Sequence, residues 1–159
     1  MDAIITPSTT SLVNRVKKDN PNYQFVLADD FVWSPTENTI YYAEVARIEA
    51  LWALVHELAH ARLGHIDFQT DIQLVSKEAE AWQFAKLTLG PTYGLVITDT
   101  YIEDQLDSYR DWLHQRSLCP TCHQTGLQTQ THHYSCINCG GVWRVNDARR
   151  CSLRRYVVA

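Results

Sequence analysis

"LWALVHELAHARLGH", residues 51–65, places His56 and His60 four residues apart, with Glu57 directly after the first. The segment from 43 to 63 is almost wholly Ala, Leu, Val, Ile and Trp, with no Pro or Gly before Gly64. A helix apolar on most of its faces belongs in the middle of a domain. We therefore expect a buried central helix over 43–63, stopped by Gly64. On such a helix, residues four apart share one face, so His56 and His60 can converge on one ion. Glu57 is turned about 100° from His56, where it reaches the ion's open side without being a ligand. Two imidazoles, one further protein ligand and a water are the usual catalytic zinc set. In that arrangement Glu57 is the general base. Burying two histidines and a glutamate among aliphatic neighbours is costly unless they are paired or coordinated, so a purely structural helix gains nothing from them.

The rest of the chain is arranged around that helix. Residues 9–18 read as a short amphipathic helix. The runs 25–33 and 39–42 flank the turn-forming "SPTEN" and read as a β-hairpin. Residues 67–76 read as loop, and 76–89 as a second helix stopped at Gly90-Pro91. Apolar residues recur at three and four in 99–115, which predicts a third helix. The expected core is thus α+β, a hairpin or small sheet plus helices. The extended pattern HExxHxxGxxH is absent, because Leu63 and Ile66 stand where it needs Gly and His. His65 reads instead as a helix-end histidine, favourable at the negative end of the dipole. A carboxylate on the second helix is the alternative third ligand. Glu78 shares a face with Ala81, Trp82 and Ala85, suited to packing on the histidine helix. Glu80 lies about 200° round from it, toward solvent. Glu78 is favoured, with Glu80 left open.

"HELAHARLGH" followed by "EAEAWQFAKLTLGP" resembles the ImmA/IrrE metallopeptidases, whose pattern is HExxH, a loop, then E-x-x-A-x-x-F-A on a helix ending near a proline. Glu78, Ala81, Phe84, Ala85 and Pro91 match it, and the likeness covers about residues 23–95. It implies a zincin-like core with zinc held by His56, His60 and Glu78, and Glu57 as base. It implies a specific protein or peptide substrate, of the kind represented by phage or mobile-element repressors. Many members carry a helix-turn-helix, and none is evident here.

Cys119, Cys122, Cys136 and Cys139 form CxxC-x13-CxxC, which reads as a closed four-thiolate zinc ribbon. The expectation is two zinc ions, one catalytic and one structural. Strands are expected in "THHYSC" and "VWRV". His123, His132 and His133 are not needed as ligands. Cys151 reads as an unremarkable thiol.

Charge divides unevenly. Residues 1–115 carry 8 Lys/Arg against 17 Asp/Glu, and residues 116–159 carry 6 Arg against Asp147 alone. We read this as a metallopeptidase domain over 1–115 and a zinc-ribbon domain with a basic tail over 116–159. Arg144, Arg149, Arg150, Arg154 and Arg155, interleaved with Trp143 and Tyr156, are compatible with nucleic-acid or partner contact. No apolar run approaches a membrane span, and "MDAIITPSTT" lacks the features of a signal peptide. The expected location is the cytoplasm, with no membrane partner. Two further readings remain. A SprT-like protease also joins HExxH to a zinc ribbon and acts on DNA-bound proteins, but takes a histidine as third ligand, for which His65 and His114 are the candidates. A non-enzymatic ribbon adaptor or nucleic-acid-binding factor would carry HExxH as a vestige.

Overall fold

The structure, a computed structural model, describes residues 9–147 and 152–158. It is α+β, with helices and two small sheets. Contacts divide the chain into two compact units. One holds the residues up to Ile66 together with Ala79–Ile102; the other holds Asp67–Glu78 together with the residues from Glu103 onward. Helices α3 and α5 run through the division, whereas the break in charge falls near residue 116.

In the first unit, α1 (Thr9–Asp19) is followed by β1 (Gln24–Leu27), β2 (Val32–Ser34) and β3 (Thr39–Tyr42). The β2–β3 hairpin forms across residues 35–38, with Trp33 opposite Ile40. The expected first strand is in fact two. The chain turns at Asp29 and Asp30, where the Asp30 carboxylate accepts the Phe31 N–H. β1 then pairs parallel to β3, giving the order β1-β3-β2. Central β3 buries Thr39, Ile40 and Tyr42.

Helix α2 (Ile48–Leu63) packs on β2 and β3. It begins five residues later than expected. Residues 43–47 leave β3 without regular structure, and Arg47 is extended at φ −137°, so an apolar composition alone did not mark the start. Gly64 ends the helix as expected. Its φ of +67° is the left-handed conformation that glycine adopts at least cost.

Helix α3 (Asp71–Phe84) begins within the expected loop. The reason lies in "TDIQ", where the Gln73 side chain reaches back to accept the Thr70 N–H at 3.3 Å. That is the returning half of a capping box, a local signal present in the sequence. The helix continues as a π-helical turn, Ala85–Leu89, into α4 (Gly90–Tyr93). Gly90 is therefore not a stop. It is helical at φ −53°, and a Cβ there would meet the Leu95 carbonyl oxygen at 2.9 Å. Gly94, at φ +70°, ends the run. Helix α5 (Asp99–Ser117) follows.

The second unit carries an antiparallel sheet, β4 (Leu127–Gln130), β5 (His133–Ser135), β6 (Val142–Val145) and β7 (Arg155–Val158), in sequence order. β5 and β6 are the strands expected from "THHYSC" and "VWRV". Tyr134 and Trp143, stacked at 5.6 Å, form its core with Val145, Cys119 and Cys136. A buried ionic network braces it. The Arg116 guanidinium, fully enclosed, donates from Nε to Asp71 at 2.7 Å and also to the Asn146 carbonyl. The Tyr134 hydroxyl donates to the same Asp71 carboxylate. Burial, then that hydrogen bond, pushes the Tyr134 hydroxyl far up from its usual pKa. One of the six C-terminal arginines is thus neutralised in the interior. Among the described residues, no helix is long and apolar enough to cross a membrane.

Candidate metal centres

On α2, residues 56 and 60 lie one turn apart on the same face. Their Nε2 atoms approach to 3.1 Å. The His56 ring stacks on Trp82 with centroids 4.0 Å apart and planes at 17°. Trp82 itself meets the edge of Tyr101, which also meets Trp52. One turn before Trp82 on α3 stands Glu78. His56, His60 and Glu78 each offer a ligand atom, and these atoms lie within 4.8 Å of one another. Donors arranged tetrahedrally about zinc at about 2.05 Å lie about 3.3 Å apart, so the imidazole spacing fits such an ion. His56 and Glu78 are buried, at 5% and 6% exposure.

Glu57 follows His56 on α2, and its Oε2 accepts the Trp33 backbone N–H of β2 at 2.7 Å. The same tryptophan donates from Nε1 to the His65 carbonyl and meets Tyr23 edge-on. Strand β2 therefore holds both the carboxylate and the chain just past the end of α2.

His65 and Glu80 make a contact that the sequence did not indicate. His65 is buried at 9% exposure and sits between two partners. Its Nδ1 is 2.9 Å from His60 Nδ1, and its Nε2 is 3.1 Å from Glu80 Oε2. Glu80 is largely solvent-facing, as its position on the helix indicated, but its carboxylate ends on this ring. Sequence reasoning missed the contact because Gly64 turns the chain back on itself. The His65 N–H bonds the His60 carbonyl at 3.0 Å, which brings the two rings together.

The second cluster is Cys119, Cys122, Cys136 and Cys139, with sulfurs within 4.8 Å of one another. Cys119 and Cys139 are 3.6 Å apart, Cys122 and Cys136 3.4 Å, too far for a disulfide bond. Thiolates about a tetrahedral zinc ion lie about 3.8 Å apart, so this set also fits. The two knuckles share one turn. The His123 N–H bonds the Cys119 carbonyl at 3.0 Å, and the Gly140 N–H bonds the Cys136 carbonyl at the same distance. Glycine supplies the left-handed residue in the second knuckle, at φ +74°. In the first that residue is His123, at φ +61°. The turns aim N–H groups at sulfur. The Gln124 N–H, then the Asn138 side chain, pull the Cys122 thiol down to about 6, and the Cys122 N–H leads in lowering Cys119. At Cys139 the Gly141 N–H pulls down, but the neighbouring Cys122 and Cys119 sulfurs outweigh it and push the thiol up to about 12. Charge crowding of this kind is relieved by a cation.

None of His123, His132 and His133 is in the cysteine group. His132 Nδ1 lies 2.9 Å from Arg116 Nη2. Of the basic residues, Arg144 is exposed and lies over the Tyr156 ring at 4.9 Å, directly across β6 and β7. Arg154 is exposed, and Arg155 donates to the Leu118 carbonyl at 2.9 Å. Arg149, Arg150 and Cys151 lie outside the described residues.

Comparison of the chain with family models, with curated proteins and with solved structures gives no match in any of the three.

Proposed function

We propose that the chain is a zinc-dependent metallopeptidase of the ImmA/IrrE kind, hydrolysing a peptide bond in a specific protein partner such as a transcriptional repressor or mobile-element regulator. One observation carries this reading: ligand atoms of His56, His60 and Glu78 lie within 4.8 Å of one another, and Glu57 directly follows His56 on α2. The HExxH spacing and the E-x-x-A-x-x-F-A pattern on α3 support it from the sequence side.

His56, His60 and Glu78 would hold the catalytic ion. When bound, zinc lowers the pKa of water and polarises a carbonyl. The remaining chemistry belongs to the chain. The Glu57 carboxylate accepts the proton of the attacking water and passes it to the departing amine. The Trp33 N–H fixes one Glu57 oxygen, which orients the carboxylate without consuming its charge. Trp82 stacks on His56 and holds that ring's plane, so that its Nε2 faces His60 and not solvent. The four cysteines would hold a structural ion. Its closed set of thiolates leaves no position for a substrate.

Zinc content per chain tests the metal assignment. We expect two ions in the wild type and one in the His56→Ala/His60→Ala variant. Glu57→Gln tests the base. It is expected to keep both ions and to slow cleavage of a repressor substrate by 10²–10⁴-fold. Undiminished turnover by Glu57→Gln, or equal zinc content in wild type and double variant, would overturn the reading.

A further inference from the structure

The His60 ring has two nitrogens and both are engaged. Nε2 faces His56, and Nδ1 faces His65 Nδ1 at 2.9 Å. His65 in turn reaches Glu80 through Nε2 at 3.1 Å. From these contacts we infer that His65 and Glu80 are positioning residues for the metal centre, forming a relay that fixes the His60 tautomer and presents its Nε2 lone pair to the ion. The inference rests on the metal assignment made above.

Hydrogen counting gives the direction. An ionised Glu80 only accepts, so His65 Nε2 carries a hydrogen. A neutral His65 then has a bare Nδ1, which accepts from His60 Nδ1–H. A neutral His60 with its hydrogen on Nδ1 has a bare Nε2, on the side facing His56. The reverse arrangement would place a hydrogen on His60 Nε2, where a metal ligand needs a lone pair. Ligating histidines commonly donate their second N–H to a carboxylate. Here a second imidazole is inserted between ligand and carboxylate, which lets a largely exposed glutamate act on a half-buried ring.

The backbone explains how His65 holds its place. Gly64 reverses the chain at the end of α2, the His65 N–H bonds the His60 carbonyl, and Trp33 Nε1 donates to the His65 carbonyl at 3.0 Å. The ring is therefore gripped on both sides of its peptide, independently of its own hydrogen bonds. A substitution can then remove the ring's hydrogen bonds while the turn persists.

Two variants separate the relay from packing. His65→Leu fills the space and supplies neither hydrogen bond. His65→Gln supplies an amide oxygen toward His60 Nδ1–H and an amide N–H toward Glu80. Zinc affinity of the full chain is measured by competition with a chromophoric chelator. We expect His65→Leu to weaken the histidine site by 10–100-fold, and His65→Gln to stay within about three-fold of wild type, on the same hydrogen-bond grounds. Occupancy of the four-cysteine site should be unchanged in both, and far-UV circular dichroism with thermal unfolding reports that each variant is folded. Equal affinities for Leu and Gln would overturn the relay while leaving the metal site standing. A wild type whose zinc content matches that of His56→Ala/His60→Ala would remove the metal assignment, and the relay with it. On the unsubstituted protein, long-range proton–nitrogen NMR of the histidine rings provides a second test. His60 should carry its hydrogen on Nδ1 and His65 on Nε2; the opposite assignment would overturn the relay.

Discussion

Asp71→Asn should be among the most damaging conservative substitutions in this protein. Asp71 is 2% exposed and Arg116 fully enclosed. The carboxylate accepts from Arg116 Nε at 2.7 Å, from Arg116 Nη2 at 3.4 Å and from the Tyr134 hydroxyl. An asparagine keeps one acceptor oxygen, turns an N–H2 group toward donors, and removes the charge that balances the guanidinium. The Asn146 carbonyl and His132 remain near Arg116, but neither is an anion. Breaking a buried ion pair at one end costs about 3–5 kcal/mol, against a total stability of about 5–15 kcal/mol. With a urea slope of about 2 kcal/mol per molar, the unfolding midpoint should fall by about 2 M. Equilibrium urea unfolding, followed by both far-UV circular dichroism and tryptophan fluorescence, measures it. The double variant Asp71→Asn/Arg116→Met should be more stable than Asp71→Asn alone, because it removes the stranded charge. A loss below about 1 kcal/mol in the single variant, or a double variant no better than the single, would refute this account of the network.

Three other outcomes are expected. Gly126→Ala should destabilise by about 1–3 kcal/mol, since its Cβ would meet Trp143 Cη2 at 2.3 Å and the Ser135 carbonyl oxygen at 2.7 Å; thermal unfolding checks it. Burial, assisted by Glu49, raises the Tyr101 hydroxyl. A raised acid stabilises the fold below its ordinary pKa of about 10 and loses that contribution as pH climbs from there through the raised value, so Tyr101→Phe should flatten the fall in stability above about pH 10. Stripping metal with a strong chelator should release amide protection at Cys136 and Gly140 while α2 stays protected, as hydrogen exchange will report.

Both candidate metal-binding groups were legible because their spacing is largely local. Residues four apart on a helix share a face whatever surrounds them, so "HELAH" alone brings His56 and His60 together. Two residues between cysteines likewise define a knuckle before any sheet forms, and the tight hydrogen bonds from His123 to Cys119 and from Gly140 to Cys136 are local too. Glu78 was reached by helical periodicity across a longer gap, since the same face of α3 carries Trp82 against His56. The start of α3 was also written in the sequence, in the Thr70 and Gln73 pairing.

What tertiary structure alone decided is everything that depends on distant partners. Nothing in residues 24–42 announces that β1 pairs parallel to β3, because alternating apolar residues suit either direction. Arg116 was simply one of six arginines in the basic C-terminal segment until Asp71, 45 positions away, enclosed its charge. His65 read as an end-of-helix histidine until the turn at Gly64 laid its ring between His60 and Glu80. Sequence period fixes which side chains share a face, while the solvation of a charge and the tautomer of a ring are set by whatever the fold brings against them.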